Sequence, residues 1–289
     1  MTSIYKISTE FSEKLQLELK SISIALESSE DKINVSTAKE YLTKGNSQAP
    51  YEYENILQFF PKNAKILDIG VGLGESSVFL ALNNFDVCAL EPSESCCKII
   101  KSISDKFNLT INVVQGVAED VGKLNTKFDV IIFNASLHHC DDPYLALSES
   151  NKILVKGGKL FLVNENFLRP WISEQKYQKL LISNPVEMGH YGGNEHAYSN
   201  GKYSRLVIKT FGNCKKLIPR RRSSLDELEL KITSRINGQR VVNTNFGIFA
   251  RHLYYLLKEK MFSFSGIYLL AAKLSLVPAH FMAVKNCEK

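Results

Sequence analysis

The residues of this 289-residue chain best suited to chemistry gather around one short stretch, KILDIGVGLGESS, from Lys65 to Ser77. An apolar run ends in Asp68, and Gly70, Gly72 and Gly74 then alternate up to Glu75. Glycines so spaced let a backbone lie directly against a ligand. In the dinucleotide fingerprint the third glycine stands three positions after the second. Here that position is Glu75, and the glycine arrives one residue early, at Gly74. A carboxylate at a helix start occupies the place where a pyrophosphate needs positive potential and bare N–H groups, so the loop does not read as a phosphate site. The sequence also contains no G-x-x-x-x-G-K-[ST] loop. Asp68, closing the first apolar run, suits an ammonium group; Glu91, closing the next, can accept both hydroxyls of a ribose. Taken singly, Asp68 reads equally as a loop brace and Glu91 as a surface acid. Their joint placement points to a ligand with an amine and a ribose but no phosphate.

The elements that must position these groups follow from periodicity. KILDIG reads as a short buried strand, ESSVFLALNN as a helix and DVCALE as the second strand. SESCCKIIKSISDKF opens with a serine able to cap a helix, TINVVQG is rich in β-branched residues, and FDVIIFN is almost wholly apolar before Asn134, as in a central strand covered on both faces. DPYLALSESNKILVKGG begins with an acid–proline pair and ends in glycines, a helix start and stop, and KLFLVNE is the fifth strand. Strands alternating with helices of this length imply parallel pairing in an α/β, Rossmann-like doubly wound sheet, whose ligands sit at the carboxyl ends of the strands. Residues 1–60 read as a helical N-terminal cap, with Leu15, Leu19, Ile22 and Leu26 on one helix face and EYENILQFF stopped by Pro61. Residues 61–289 read as the main domain. Within it, 166–200 forms an insertion over the site and 220–277 an apolar helical insertion, while CKKLIP and AHFMAVK supply further strands.

These segments carry a resemblance. ILDIGVGLGES, CALEPSE, VQGVAED, FDVIIFNASLHHCDDP and LVKGGKLFLVNE resemble the motifs of class I S-adenosylmethionine-dependent methyltransferases, in the small-molecule (type 11/12-like) branch, over about Pro61 to Asn166. The resemblance implies S-adenosyl-L-methionine as cofactor and a sheet of about seven strands with the last antiparallel. It implies that Gly70, Gly72 and Gly74 admit the methionine part, Asp68 holds its amino group and Glu91 the ribose. Val117, Ala118 and Glu119 would border the adenine, and Asn134 would line the wall beside the methyl donor. One departure stands out: members commonly carry an acid where this chain has Val117, so the adenine amine would be met by Glu119, a backbone carbonyl or water. NEHAYS, Asn194 to Ser199, is similar to a piece of a bacterial subset that often accompanies polysaccharide or secondary-metabolite assembly.

Methyl transfer from a sulfonium is an in-line displacement. The protein supplies alignment, exclusion of water and, for a hydroxyl acceptor, a base. Histidine is the usual base near neutral pH. His138 and His139 follow the fourth strand, and His190 and His196 lie in the insertion; His139 and His196 are the catalytic candidates, against the plainer reading that the paired histidines brace their loop. Tyr191 and Tyr198 either shape the pocket or act in it. No metal site is expected, because adjacent residues rarely converge on one ion and Asp142-Pro143 explains itself as a helix start. The expected acceptor is a small molecule or a glycan or secondary-metabolite intermediate, methylated on oxygen or nitrogen. RNA methylation and non-catalytic cofactor binding are the rival readings, with a dehydrogenase more distant. The fourth strand lacks the Asn/Asp-Pro-Pro-aromatic motif of amino-methylating DNA enzymes, and no zinc ribbon or aromatic–basic interleaving suggests a nucleic acid.

Composition sets the remaining bounds. The six cysteines form no C-x-x-C pair and read as reduced, buried thiols of a cytoplasmic protein, and no signal-peptide pattern opens the chain. The formal charge of +6 is modest and most local at Lys215, Lys216 and Arg220 to Arg222, a solvated face by default. The apolar stretch 246–276 is interrupted by charges at too short an interval for a membrane span and reads as helices on the sheet or over the site, with a membrane-surface or homodimer contact as the alternative.

Overall fold

A computed structural model describes residues 4–27, 34–44, 53, 56–184, 195–219 and 265–286. The apolar runs of the sequence become the middle of one eight-stranded sheet. In chain order its strands are β1 (Tyr5–Lys6), β2 (Lys65–Ile69), β3 (Asp86–Glu91), β4 (Ile111–Gln115), β5 (Phe128–Asn134), β6 (Leu154–Val163), β7 (Lys215–Leu217) and β8 (His280–Val284). They are laid side by side as β1-β4-β3-β2-β5-β6-β8-β7. Pairing is parallel from β1 to β6, while β8 runs antiparallel to both β6 and β7. Strand order reverses between β2 and β5, and the glycine loop leaves β2 at that switch point.

Alternation along the central strands explains why their middles are apolar on both faces. Leu67, Ile69, Ile131, Phe133, Leu160 and Leu162 belong to one buried cluster. Ile66, Val130, Ile132, Phe161 and Val163 belong to the other, on the opposite face. The first cluster is closed by helices α5 (Pro143–Ile153), α7 (Asn200–Phe211) and α8 (Ser265–Lys273), which contribute Leu147, Tyr203, Val207 and Ala272. The second is closed by α2 (Ala38–Lys44), α3 (Glu75–Leu82) and α4 (Glu94–Lys106), through Tyr41, Val78, Leu80, Cys97 and Ile100. The expected caps form: Ser93 accepts the N–H of Cys96 at the start of α4, and Asp142 accepts those of Tyr144 and Leu145 at the start of α5.

Two local expectations are corrected. Residues 5–6 pair with β4 as an edge strand, an eighth strand within a region that reads as wholly helical in sequence; Ser8 beyond it accepts the N–H of Val117. Gly157 and Gly158 do not stop α5, which ends at Ile153. They sit inside β6 where its register with β5 shifts, Gly157 at φ +74°, so the glycines serve an irregularity in the strand instead of a helix terminus.

The N-terminal helix α1 (Glu13–Glu27) lies across the carboxyl end of the sheet, with Leu15, Leu19 and Ile22 turned to the cleft below it. Asn200, fully buried at the start of α7, donates to the carbonyls of Ala272 and Val277 and so joins α7 to the C-terminal segment. Helix α6 (Glu174–Ile182) crosses the insertion and is capped by Ser173. Among the described residues no helix is long and apolar enough to cross a membrane. The run Arg220 to Arg222 and the greater part of 220–277, including 246–264, lie outside the described residues.

Candidate active site

The loop from β2 to α3 owes its shape to glycines that no other residue could replace without movement. Gly70 has φ +68°, and a Cβ there would stand 2.5 Å from that of Ser136; Gly74 has φ +81°, and a Cβ there would meet Ile100 at 2.7 Å. Gly72 differs. Its φ is also positive, but nothing lies within 4 Å of a Cβ there, and it lines an open cleft. The Tyr41 hydroxyl of α2 donates to the carbonyl of Leu73 at 2.6 Å and holds the loop from behind.

The cleft, of about 380 Å³, opens at the carboxyl ends of β2, β3, β4 and β5. Glu91 forms part of its wall. One of its oxygens accepts the N–H of Gly72 at 2.8 Å and the other that of Ser93 at 3.0 Å. Burial pushes its carboxyl up to about 7 against the lowering effect of those two N–H groups, and the nearby charge of Glu18 adds to the rise. Gly70, Val117, Ala118 and Glu119 also line the cleft. An oxygen of Glu119 accepts the N–H of Asp142 at 3.1 Å, tying the short helical turn Ala118–Lys123 to the start of α5.

Asp68 and Asn134 are placed elsewhere. Asp68 shares the side of the β2 pleat that carries Ile66 and is fully buried beneath the loop, where one oxygen accepts the hydroxyls of Ser76 at 2.7 Å and Ser77 at 2.8 Å. Burial raises it to about 6, opposed by hydrogen bonds from those serines and Tyr53. It is not among the lining residues; Asn134 is not either, and its oxygen accepts from Asn164 at 2.8 Å. Ala135 and Ser136, one and two positions on, form the wall there instead. Gly74 is likewise set back against Ile100.

The histidines gather at the far end of the cleft with acids that sequence reasoning missed. His138 and His139 occupy a short helical turn, Leu137–His139, with ring centroids 4.4 Å apart. Buried Glu165, two residues beyond β6, accepts the backbone N–H groups of Ser136, Leu137 and His138 and contacts Nδ1 of His138 at 2.7 Å. His138 therefore braces its loop, as the plainer reading holds. Burial lowers its pKa, but the hydrogen bond and charge of Glu165, with Glu195 and Glu18, outweigh this and hold it above the usual value. His139 lines the cleft, its Nδ1 3.4 Å from Glu18 of α1 and its Nε2 3.3 Å from Glu195. Glu195 also lies 3.7 Å from Nε2 of His138 and accepts from Asn166 at 2.6 Å. His196 is half-buried behind this group, its Nδ1 3.1 Å from the Gln178 amide, and is not among the lining residues. Burial lowers its pKa, helped by Lys14 and His138. Tyr198 stacks on His196, with ring centroids 6.2 Å apart. His190, Tyr191 and Asn194 lie outside the described residues. A signal for Glu18 was present: with Leu15, Leu19 and Ile22 it shares the helix stripe turned to the cleft, an acid on an otherwise apolar face.

A cleft bordered by a glycine loop and a strand-end acid, on a sheet of this order, defines the class I type of methyltransferase fold. Residues 67–162 match the family described as Methyltransferase domain. Among curated proteins, the chain is 32% identical over 108 residues to a ubiquinone biosynthesis O-methyltransferase of Coxiella burnetii, covering 37% of this chain and 46% of that protein. It is 30% identical over 124 residues to one of the same name from Pelagibacter ubique, covering 40% and 51%. The chain thus spans about half the length of the curated relatives it matches. A solved structure from Galdieria sulphuraria, assigned to the sarcosine dimethylglycine methyltransferases, superposes with a TM-score of 0.50 at 14% identity, covering 78% of this chain and 79% of the other, a likeness of fold.

Proposed function

We propose that the chain transfers a methyl group from S-adenosyl-L-methionine to an oxygen of a small-molecule acceptor. The observation that carries this reading is the cleft itself. It brings the bare backbone of Gly70 and Gly72, the carboxylate of Glu91 and the apolar groups Leu90, Val117 and Ala118 together at one end, and His139 at the other, under the largely apolar face of α1. These groups fit the cofactor. Glu91 takes the ribose hydroxyls, Val117 and Ala118 flank the adenine with Glu119 at its edge, and the uncrowded face of Gly72 admits the methionine part. Asp68 acts at one remove, fixing the loop through the first turn of α3 while its charge favours the amino end. The bound cofactor supplies the electrophilic methyl carbon.

The rest falls to the chain. Helix α1 excludes water by laying Leu15, Leu19 and Ile22 over the cleft. His139 receives the acceptor's proton, and the imidazolium so formed is met by Glu18 and Glu195. The names of the curated relatives, O-methyltransferases of ubiquinone biosynthesis, support oxygen as the acceptor atom. The test has two parts. Calorimetry should detect one S-adenosyl-L-methionine per chain, with affinity lost in Glu91→Ala. Labelled methyl from the same cofactor, offered with fractionated cell extract, should appear in the small-molecule fraction. No binding by the wild type overturns the cofactor assignment, and label confined to RNA or protein overturns the acceptor class.

A further inference from the structure

The histidine–glutamate cluster at the end of the cleft has the form of a metal centre. We infer that His138, His139 and Glu195 bind one divalent transition-type cation of the zinc class, with Glu18 and Glu165 orienting the two imidazoles. The inference goes beyond methyl transfer and does not rest on it.

The three side chains present ligand atoms that all lie within 4.8 Å of one another. Both histidines turn Nε2 toward the same carboxylate, His138 at 3.7 Å and His139 at 3.3 Å from its two oxygens. Two ligands held about 2.0–2.1 Å from one tetrahedral ion are separated by roughly 3.4 Å, so small side-chain rotations suffice to close the site. The two adjacent histidines converge here for a local reason. In the tight turn Leu137–His139 the two rings stand side by side instead of pointing apart.

The outer groups sharpen the assignment. Metal-bound histidines are ordinarily fixed by a carboxylate on the other ring nitrogen, which sets the tautomer that leaves Nε2 for the ion. Here Glu165 contacts Nδ1 of His138 at 2.7 Å, and Glu18 lies 3.4 Å from Nδ1 of His139. Glu195 is itself held by Asn166 at 2.6 Å and Tyr177 at 3.5 Å. The cluster thus contains the ligands and the second layer a transition metal uses, drawn from four separate parts of the chain. Glu18, Glu165 and Glu195 are all largely buried around two imidazoles, and a divalent cation balances that excess of carboxylate. Two imidazoles with one carboxylate favour zinc-like ions over magnesium or calcium, which prefer all-oxygen sites. His139 stands on the cleft wall, so the site is reachable from the cleft. With the ion bound, His139 is a ligand and no longer a proton acceptor, so the proton transfer under Proposed function belongs to the metal-free chain.

Metal-stripped full-length chain, without cofactor, should be titrated with Zn²⁺ by calorimetry and with Co²⁺ by visible absorption. One equivalent should bind, the Co²⁺ spectrum should show nitrogen and oxygen ligation without thiolate charge-transfer bands, and Glu195→Gln and His139→Asn should each weaken Zn²⁺ at least tenfold while retaining the far-UV circular dichroism of the wild type. Cys140, buried beside His139, is the competing ligand, and Cys140→Ser should bind as the wild type does. Wild-type stoichiometry well below one, unchanged affinity in both ligand variants, or loss confined to Cys140→Ser each overturns the site. Because no methyl donor is present, failure here leaves the methyltransferase reading to its own test.

Discussion

Replacing Glu91 with glutamine tests the electrostatics of the cleft in depth. The acid is buried, and its pKa in the folded chain is about 7 against an ordinary 4.5. A carboxyl raised by folding binds more protons folded than unfolded between those two values. Its contribution is therefore most favourable below about 4.5, worsens as pH rises through the window, and reaches its full cost above about 7. The distance from 4.5 to about 7, at about 1.4 kcal/mol for each pH unit, corresponds to about 3 kcal/mol. Between pH 5 and pH 8 about 2–3 kcal/mol of this is expressed. Glutamine stays neutral throughout, so it loses one of the two backbone contacts at every pH, about 1 kcal/mol, but removes the slope. Urea unfolding at pH 5 and pH 8, with equal m values, should show the variant gaining about 2–3 kcal/mol on the wild type between the two. Asp68, raised from 3.8 to about 6, falls in the same direction and is common to both proteins, so it cancels. The same samples report on binding. A ribose needs the ionised form, so wild-type affinity for S-adenosyl-L-methionine should be about tenfold or more lower at pH 6 than at pH 8, and the variant's weaker affinity should keep only the smaller change due to Asp68. Stability curves of wild type and variant that stay parallel across this range would refute the burial argument.

Three further outcomes follow from individual contacts. Gly74→Ala, which places a Cβ 2.7 Å from Ile100 in a left-handed backbone, should lower stability by about 2–4 kcal/mol in urea unfolding, whereas Gly72→Ala, with open space, should cost only about 1 kcal/mol and act mainly on cofactor affinity. Asn200→Ala leaves the carbonyl of Val277 without its Asn200 donor and that of Ala272 with the N–H of Ser275, and should cost about 1–3 kcal/mol, detectable also as faster hydrogen exchange in α8. His139→Ala should lower turnover about 100-fold or more at saturating cofactor while changing cofactor affinity less than about twofold, and His196→Ala, set behind the cleft, should fall well short of that loss.

The sheet was legible from the sequence because each central strand is a short, largely apolar run alternating with helices, a pattern expected of strands covered on both faces. The glycine loop and Glu91 were legible because their chemistry is local: a strand end delivers them to the crevice wherever the remainder of the chain goes. Tertiary structure decided the direction of Asp68 and Asn134. Asp68 lies on the side of its strand occupied by Ile66, beneath α3, so it supports the loop instead of facing the cleft. It also decided that Tyr5 and Lys6 extend the sheet, since a two-residue strand has no period of its own to read and exists only because β4 offers an edge. Above all, it assembled Glu18, the His138–His139 turn, Glu165 and Glu195. No spacing in the sequence links these residues, because they meet only after a helix between β1 and β2 and a segment between β6 and β7 close over the same strand ends.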